Sequence, residues 1–100
     1  MAPDFIRYRG VDTLSFRQLD ALNGVPKGTT FRRFKYCAEL VEGRDFFHVA
    51  AEAEPGRIAE WRDAGLIYPG SVHVVLITES GYRRLQAGGG EGVTDRDPDR

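Results

Sequence analysis

Apolar residues recur at helical spacing over residues 14–22, where Phe16, Leu19 and Leu22 are expected to face a core and Arg17, Gln18 and Ala21 to face outward. Ser15 with Gln18 three positions later forms a capping box, and Leu14 with Leu19 supplies the hydrophobic staple across it. Asn23-Gly24 closes this helix, because either residue adopts the left-handed conformation, and Pro26 bars its continuation. A second helix is then predicted, capped by Thr29 or Thr30, with Phe31, Phe34, Ala38 and Val41 along one side. Arg32, Arg33 and Tyr36 fall on the opposite side, with Lys35 on a flank.

Beyond this pair the pattern alternates between strands and helices. Residues 5–8 form a short alternation before a turn marked by Gly10 and Asp12. Residues 46–50 read as a strand with Phe46 and His48 on one face and Phe47 and Val49 on the other. Residues 72–77 give the clearest apolar strand, expected to pair with it. Between the two, Pro55 at a first helical position, Ile58, Trp61 and a closing Gly65 predict about ten helical residues. Thr78 caps a last helix running to Gln86, with Glu79 in its first turn, Arg83 and Arg84 near its end, and Tyr82 and Leu85 inward. From Gly88 the chain reads GGGEGVTDRDPDR, too poor in apolar surface to pack, and is expected to be a disordered tail or linker. The order of elements predicts one α+β domain over residues 1–87, a winged helix-turn-helix with a small antiparallel sheet of two or three strands.

Length and composition narrow the alternatives. One hundred residues allow a single core. No apolar run approaches the roughly 20 residues that span a bilayer, and the first ten residues lack a signal-peptide apolar segment, so no membrane partner and a cytoplasmic location are expected. The single cysteine, Cys37, excludes an internal disulfide. Net charge is only -1, but its distribution is polar. Residues 1–36 carry seven basic and three acidic side chains, whereas residues 37–65 carry three basic and seven acidic ones. A chain so divided can turn a basic face toward phosphate and keep its acidic face elsewhere.

The candidate chemistry is therefore recognition of double-stranded DNA by the helix over residues 30–36. Arg32 and Arg33 can pair bidentately with guanine or phosphate, Lys35 acts as a point charge on phosphate, and Tyr36 can stack or donate. Lys27, Thr29 and Thr30 precede or open that helix, where backbone N–H groups attract a phosphate, and Arg17 lies where a first helix crosses the backbone. Either Thr serves as the cap sooner than as a DNA contact, though one could do each. Arg7 and Arg9 suit an arm toward a neighbouring groove or a frayed terminus.

Catalysis would have to use Cys37 with His48 or His73, but the wheel puts Cys37 beside the core, where a small thiol is inert; His73, in an exposed strand position, could titrate or contact a phosphate, but is more often a satisfied strand histidine. One Cys and two His at unrelated spacing do not make a zinc site, and no cofactor motif or small-molecule substrate site is present. An alternative reading is a protein-interaction module docking through the acidic segment around Trp61. A homodimer or another protein partner stays open, since many helix-turn-helix readers bind two half-sites.

The stretch FRRFKYCAELVEGRDFFHV resembles the segment of small phage-borne DNA-binding domains of the KilA-N and antirepressor N-terminal type, in which a basic helix with a central aromatic runs into an apolar-EG-basic-acidic-aromatic turn. LITESGYRRL is similar to the strand, Thr-Glu-x-Gly turn and closing helix of those domains, matched here by Thr78, Glu79, Gly81 and Tyr82. With SFRQLDALNGV the resemblance spans most of residues 11–86; the insert at 50–65 has no counterpart in it. Excisionase-like and MerR-like winged helices are similar as well, through the short helix ending in NGV before a basic, aromatic helix. The resemblance implies a regulator, antirepressor or accessory factor on a phage or mobile element.

Overall fold

Arg9 and Gly10 both take positive φ, 52° and 78°. A two-residue loop of that kind matches the right-handed twist of the strands on either side and closes a tight hairpin. It joins β1 (Ile6–Tyr8) to β2 (Val11–Ser15), with Ile6 opposite Thr13 and Tyr8 opposite Val11. The computed structural model describes residues 4–37, 39–71 and 73–89. In it β3 (Phe46–Val49) and β4 (Val74–Ile77) complete an antiparallel four-stranded sheet of order β1-β2-β4-β3. The sheet thus exceeds the expected two or three strands. The strand that pattern reading misses is β2, because Ser15 is at once its last residue and the cap of the following helix, and helical spacing masks the short alternation before it.

Period-two alternation divides the core between the two sheet faces. Ile6, Tyr8, Phe47, Val49, Val74 and Leu76 share one cluster with Ile58 and Trp61 of α3 (Pro55–Asp63). Leu14, Phe46, Val75 and Ile77 belong to the other, with α1 (Phe16–Leu22), α2 (Thr29–Tyr36) and α4 (Glu79–Arg84) packed on them through Leu19, Phe34 and Leu85. The result is an α+β fold of three layers, with α3 alone on its side. Phe34 meets Phe46 edge-on at 4.9 Å and Phe16 at 5.4 Å, an aromatic seam that seats α2 on both sheet and α1. The insert at 50–65 is thereby a core-building element, and Trp61 is only 6% exposed.

Local expectations meet mixed outcomes. The capping box forms as expected, the Gln18 amide donating to Ser15 Oγ at 3.1 Å and the Ser15 amide to Gln18 Oε1 at 2.9 Å. Pro55 opens α3, and Thr78 caps α4 by accepting from the Gly81 amide at 3.2 Å. By contrast Leu22 is 48% exposed. Neither threonine caps α2: Gly28, at φ 90°, is the cap, and Thr29 and Thr30 are its first helical residues. Val41 never joins α2, which ends at Tyr36 because Cys37 is extended; Phe31 and Val41 are each about half exposed, Phe31 meeting Phe16 edge-on at 5.6 Å, and Ala38 lies outside the described residues. Residues Leu85–Gly89 continue α4 as a π-helical turn past the expected end at Gln86. The tail expected from Gly88 lies, apart from the backbone of 88 and 89, outside the described residues.

A buried carboxylate organises the turn before β3. Asp45, fully enclosed, accepts from the Val41 amide at 3.0 Å, Arg44 Nη2 at 2.9 Å and Ser80 Oγ at 2.5 Å, with Arg84 Nε at 3.4 Å. Arg44 above all, then Ser80 and Val41, outweigh the penalty of burial and hold this carboxyl far below the usual carboxylate range. The Asp45 carbonyl accepts from the Thr78 amide at 3.0 Å, and a Cβ on Gly81 would stand 2.0 Å from that same oxygen. Helix α4 therefore docks on Asp45 only with glycine at 81.

Gly81→Ala is expected to destabilise the domain by about 3 kcal/mol or more, measured as a shift in urea midpoint, because the obstructing atom is backbone and cannot rotate away. A second outcome concerns acid. A carboxyl whose folded pKa lies below its ordinary 3.8 contributes stability that is complete above that value and is lost as pH falls. Wild-type stability is therefore expected to decline from about pH 4 downward, and this acid limb to shrink in Asp45→Asn, as read by urea unfolding at both pH extremes.

Candidate nucleic-acid interface

Asp20 occupies the last turn of α1, where the helix dipole disfavours a carboxylate, and is 2% exposed. Its partners explain the placement. Oδ2 accepts from the Gly28 amide at 2.9 Å and the Tyr68 hydroxyl at 2.6 Å, and Oδ1 from the Thr30 amide at 2.9 Å. Two N–H groups at the start of α2, left without intrahelical partners by helix geometry, are thus satisfied from α1. The intervening turn is closed by the Val25 amide donating to the Asp20 carbonyl at 3.0 Å and by Thr29 Oγ1 donating to the Pro26 carbonyl at 2.7 Å.

Burial opposes the charge of Asp20, but the hydrogen bonds from Tyr68, Thr30 and Gly28 prevail and leave its pKa below the ordinary value. The complementary effect falls on Tyr68, whose phenol is pushed up to about 12 by burial and by its bond to the Asp20 carboxylate. Tyr68 lies on the loop that follows α3. That loop crosses the end of the sheet, its Leu66 carbonyl accepting from Ser15 Oγ and its Ile67 carbonyl from Arg17 Nη1 at 3.1 Å.

Around this clamp the predicted cations separate into two groups. Arg32, Lys35 and Tyr36 are exposed on α2, Tyr36 at 85%, while Arg33 is half-buried. Arg32 Nη2 rests 3.4 Å from Thr29 Oγ1, and Lys35 Nζ lies 5.3 Å from the centre of the exposed Phe31 ring. Lys27 and Arg17 form the second group, on the Tyr68 ring at 5.0 Å and 5.7 Å from its centroid. Among the described residues, Arg17, Lys27, Arg32, Arg33 and Lys35 have no carboxylate within ion-pair distance.

Thr30 is withdrawn from the expected site: its side chain is buried and its amide is held by Asp20, so it supports the face without belonging to it. Among the described residues, other basic side chains are engaged elsewhere. Arg7 pairs with Asp12 at 3.0 Å, Arg83 with Glu79 at 2.7 Å and Arg84 with Asp45, and Arg9 lies over Tyr8. Cys37 is half-buried at the end of α2 and packs with the Leu14–Leu19 cluster; among the described residues it has no hydrogen bond to either histidine. Trp61 is enclosed by Tyr8 and covered by Arg57, 5.3 Å from its ring, so the acidic segment does not offer it outward.

Pattern reading overlooked Asp20 and Tyr68. The available signal was an acidic residue in the last helical turn, a position the dipole opposes, which marks a carboxylate with a specific buried task.

The clamp carries a spectroscopic signature. One phenol is expected to ionise near 12 in the wild type and to vanish from the ultraviolet titration of Tyr68→Phe. A raised phenol contributes stability below its ordinary 10.0 that is lost as pH rises through about 12, so the alkaline loss of stability should be smaller in that variant. No protein-family model, no curated protein and no solved structure matches this chain.

Proposed function

We propose that the domain binds double-stranded DNA as a winged helix-turn-helix, with α2 in the major groove and the turn before it on the phosphate backbone. The observation that carries this reading is a helix whose exposed cations lack carboxylate partners among the described residues, in a chain with nearly equal numbers of acids and bases. Arg32, Lys35 and Tyr36 stand at i, i+3 and i+4, one stripe of α2, and a helix about 10–12 Å across fits a groove about 12 Å wide. In this reading Arg32 reads a guanine edge or a phosphate, Lys35 and Arg33 neutralise phosphates, and Tyr36 stacks or donates. Arg17 and Lys27, aligned by Tyr68, take the adjoining phosphates. In this reading the ladder of β3 and β4, with α3 inserted between its strands, would serve as the wing.

The activity is then occupancy of a DNA site with no chemical step, in accord with the resemblance to phage antirepressor and related regulators. The test is fluorescence anisotropy on a labelled duplex across a salt series. Log affinity is expected to fall against log salt with a slope of about -3 to -4, and Arg32→Ala, Arg33→Ala or Lys35→Ala should each flatten it by about 1 with the fold intact. A folded domain that binds no duplex at low salt would overturn the reading.

A further inference from the structure

The chain has two histidines, and the fold brings them together. His48 on β3 stands opposite Val75 on β4, so His73 is its diagonal neighbour across the ladder. The two imidazole rings are 5.3 Å apart, centroid to centroid, and inclined at 38°. Both side chains are exposed. Alternation along β3 places His48 on the face of Phe46, the face that α2 covers through Phe34. The Ala51 amide donates to His73 Nδ1 at 3.4 Å, which makes Nδ1 the acceptor and leaves the ring proton of the neutral form on Nε2.

A shallow hollow joins His73, and through it the pair, to Arg17 and Tyr68. Phe16, Arg17, Tyr68, Ser71 and His73 all line it. Since Tyr68 also carries Lys27, a continuous row leads from the turn before α2, over Tyr68 and Arg17, to His73 and His48 at the far end of the β3–β4 ladder.

We propose that His48 and His73 form a second phosphate contact, on the wing, which charges as pH falls and makes DNA affinity pH-dependent. The inference rests on the DNA-binding reading and adds to it a site and a condition. A neutral imidazole offers one N–H donor, whereas the protonated ring offers two and a positive charge; on His73 the added proton takes the place of the bond from the Ala51 amide, which opposes that charge. Two charged rings this close repel, and a phosphate oxygen between them relieves that repulsion, so proton uptake and DNA binding reinforce each other. The facing groups are Glu42, whose Oε2 accepts from the His48 amide at 3.2 Å and favours its charge, and Arg17 and Tyr68 across the hollow from His73, of which Arg17 opposes charge. Of these side-chain types only histidine ordinarily titrates between pH 5 and 8.

The test measures duplex affinity at pH 5.5 and pH 8 at constant ionic strength, in the wild type and in a His48→Gln/His73→Gln variant, with imidazole chemical shifts followed across the titration. Wild-type affinity is expected to rise about fivefold or more at the lower pH with a salt slope steeper by about 1 to 2, and the variant to lose this gain while matching the wild type at pH 8. The imidazole midpoints should move upward in the complex. Duplex binding whose pH response survives in the variant, or midpoints unmoved by duplex, overturns this proposal and leaves the DNA reading in place. A wild type that binds duplex at neither pH overturns both.

Discussion

The orientation of α2 depends on one charge that helix electrostatics alone would reject. A carboxylate in the last turn of α1 faces the negative end of the dipole and is removed from water as well. Asp20 is held there by three donors that, among the described residues, have no other partner: the Gly28 and Thr30 amides and the Tyr68 hydroxyl. Without it, two backbone N–H groups and a phenol would be left unsatisfied, each at a cost of about 1–3 kcal/mol. The angle between α1 and α2, the tightness of the turn and the position of the loop after α3 all follow from meeting these donors at once. So does the placement of Arg17 and Lys27, which lie on the ring of the same tyrosine.

Asp45 performs the corresponding task at the other end of the helical layer with a different set of donors. It draws on two guanidinium groups, a serine hydroxyl and an amide, whereas Asp20 uses amides and a phenol and, among the described residues, no direct ion pair. The difference matters to the surface. Arg44 and Arg84 are spent on Asp45, and the cations near Asp20 stay separated from it by the Tyr68 ring and remain available. Both carboxylates tie a loop to a helix start. Together they make two short helices, α1 and α4, dependent on residues distant in sequence, as expected for helices too short to be stable alone.

What the sequence made legible is what local chemistry determines. The capping box at Ser15 and Gln18, Pro55 at the start of α3, Thr78 as the cap of α4 and the face assignment of Phe46–Val49 depend only on neighbours within a few residues, and all are present. The errors arise where a distant group decides. Thr29 and Thr30 are good caps by type, but Asp20, ten residues before Thr30, supplies the acceptor instead. Val41 fits a helical wheel, but the wheel assumed a helix that continues past Cys37, whereas the Val41 amide is held by Asp45. The cations of α2 were identifiable from composition and spacing. Their support by Tyr68, and the meeting of His48 with His73, required the register of β3 on β4, which no local pattern specifies.

A net charge of -1 is no obstacle to a cationic face once the positions of the charges are considered, Glu39 and Glu42 being the exposed acids that follow α2 in the chain. Asp20 and Asp45 are buried and hydrogen-bonded, and Asp12 and Glu79 are paired with arginines. Glu60 and Asp63 belong to α3, on the opposite side of the sheet from α2. Two helices separated by a sheet lie on the order of 20 Å apart, more than twice the Debye length of about 8 Å at physiological salt. A phosphate approaching α2 therefore experiences Arg32, Lys35 and their neighbours, with the acids of α3 largely screened. Under the proposed function, local potential, set by which charges share a face, would govern the encounter, and the sum over the chain would not.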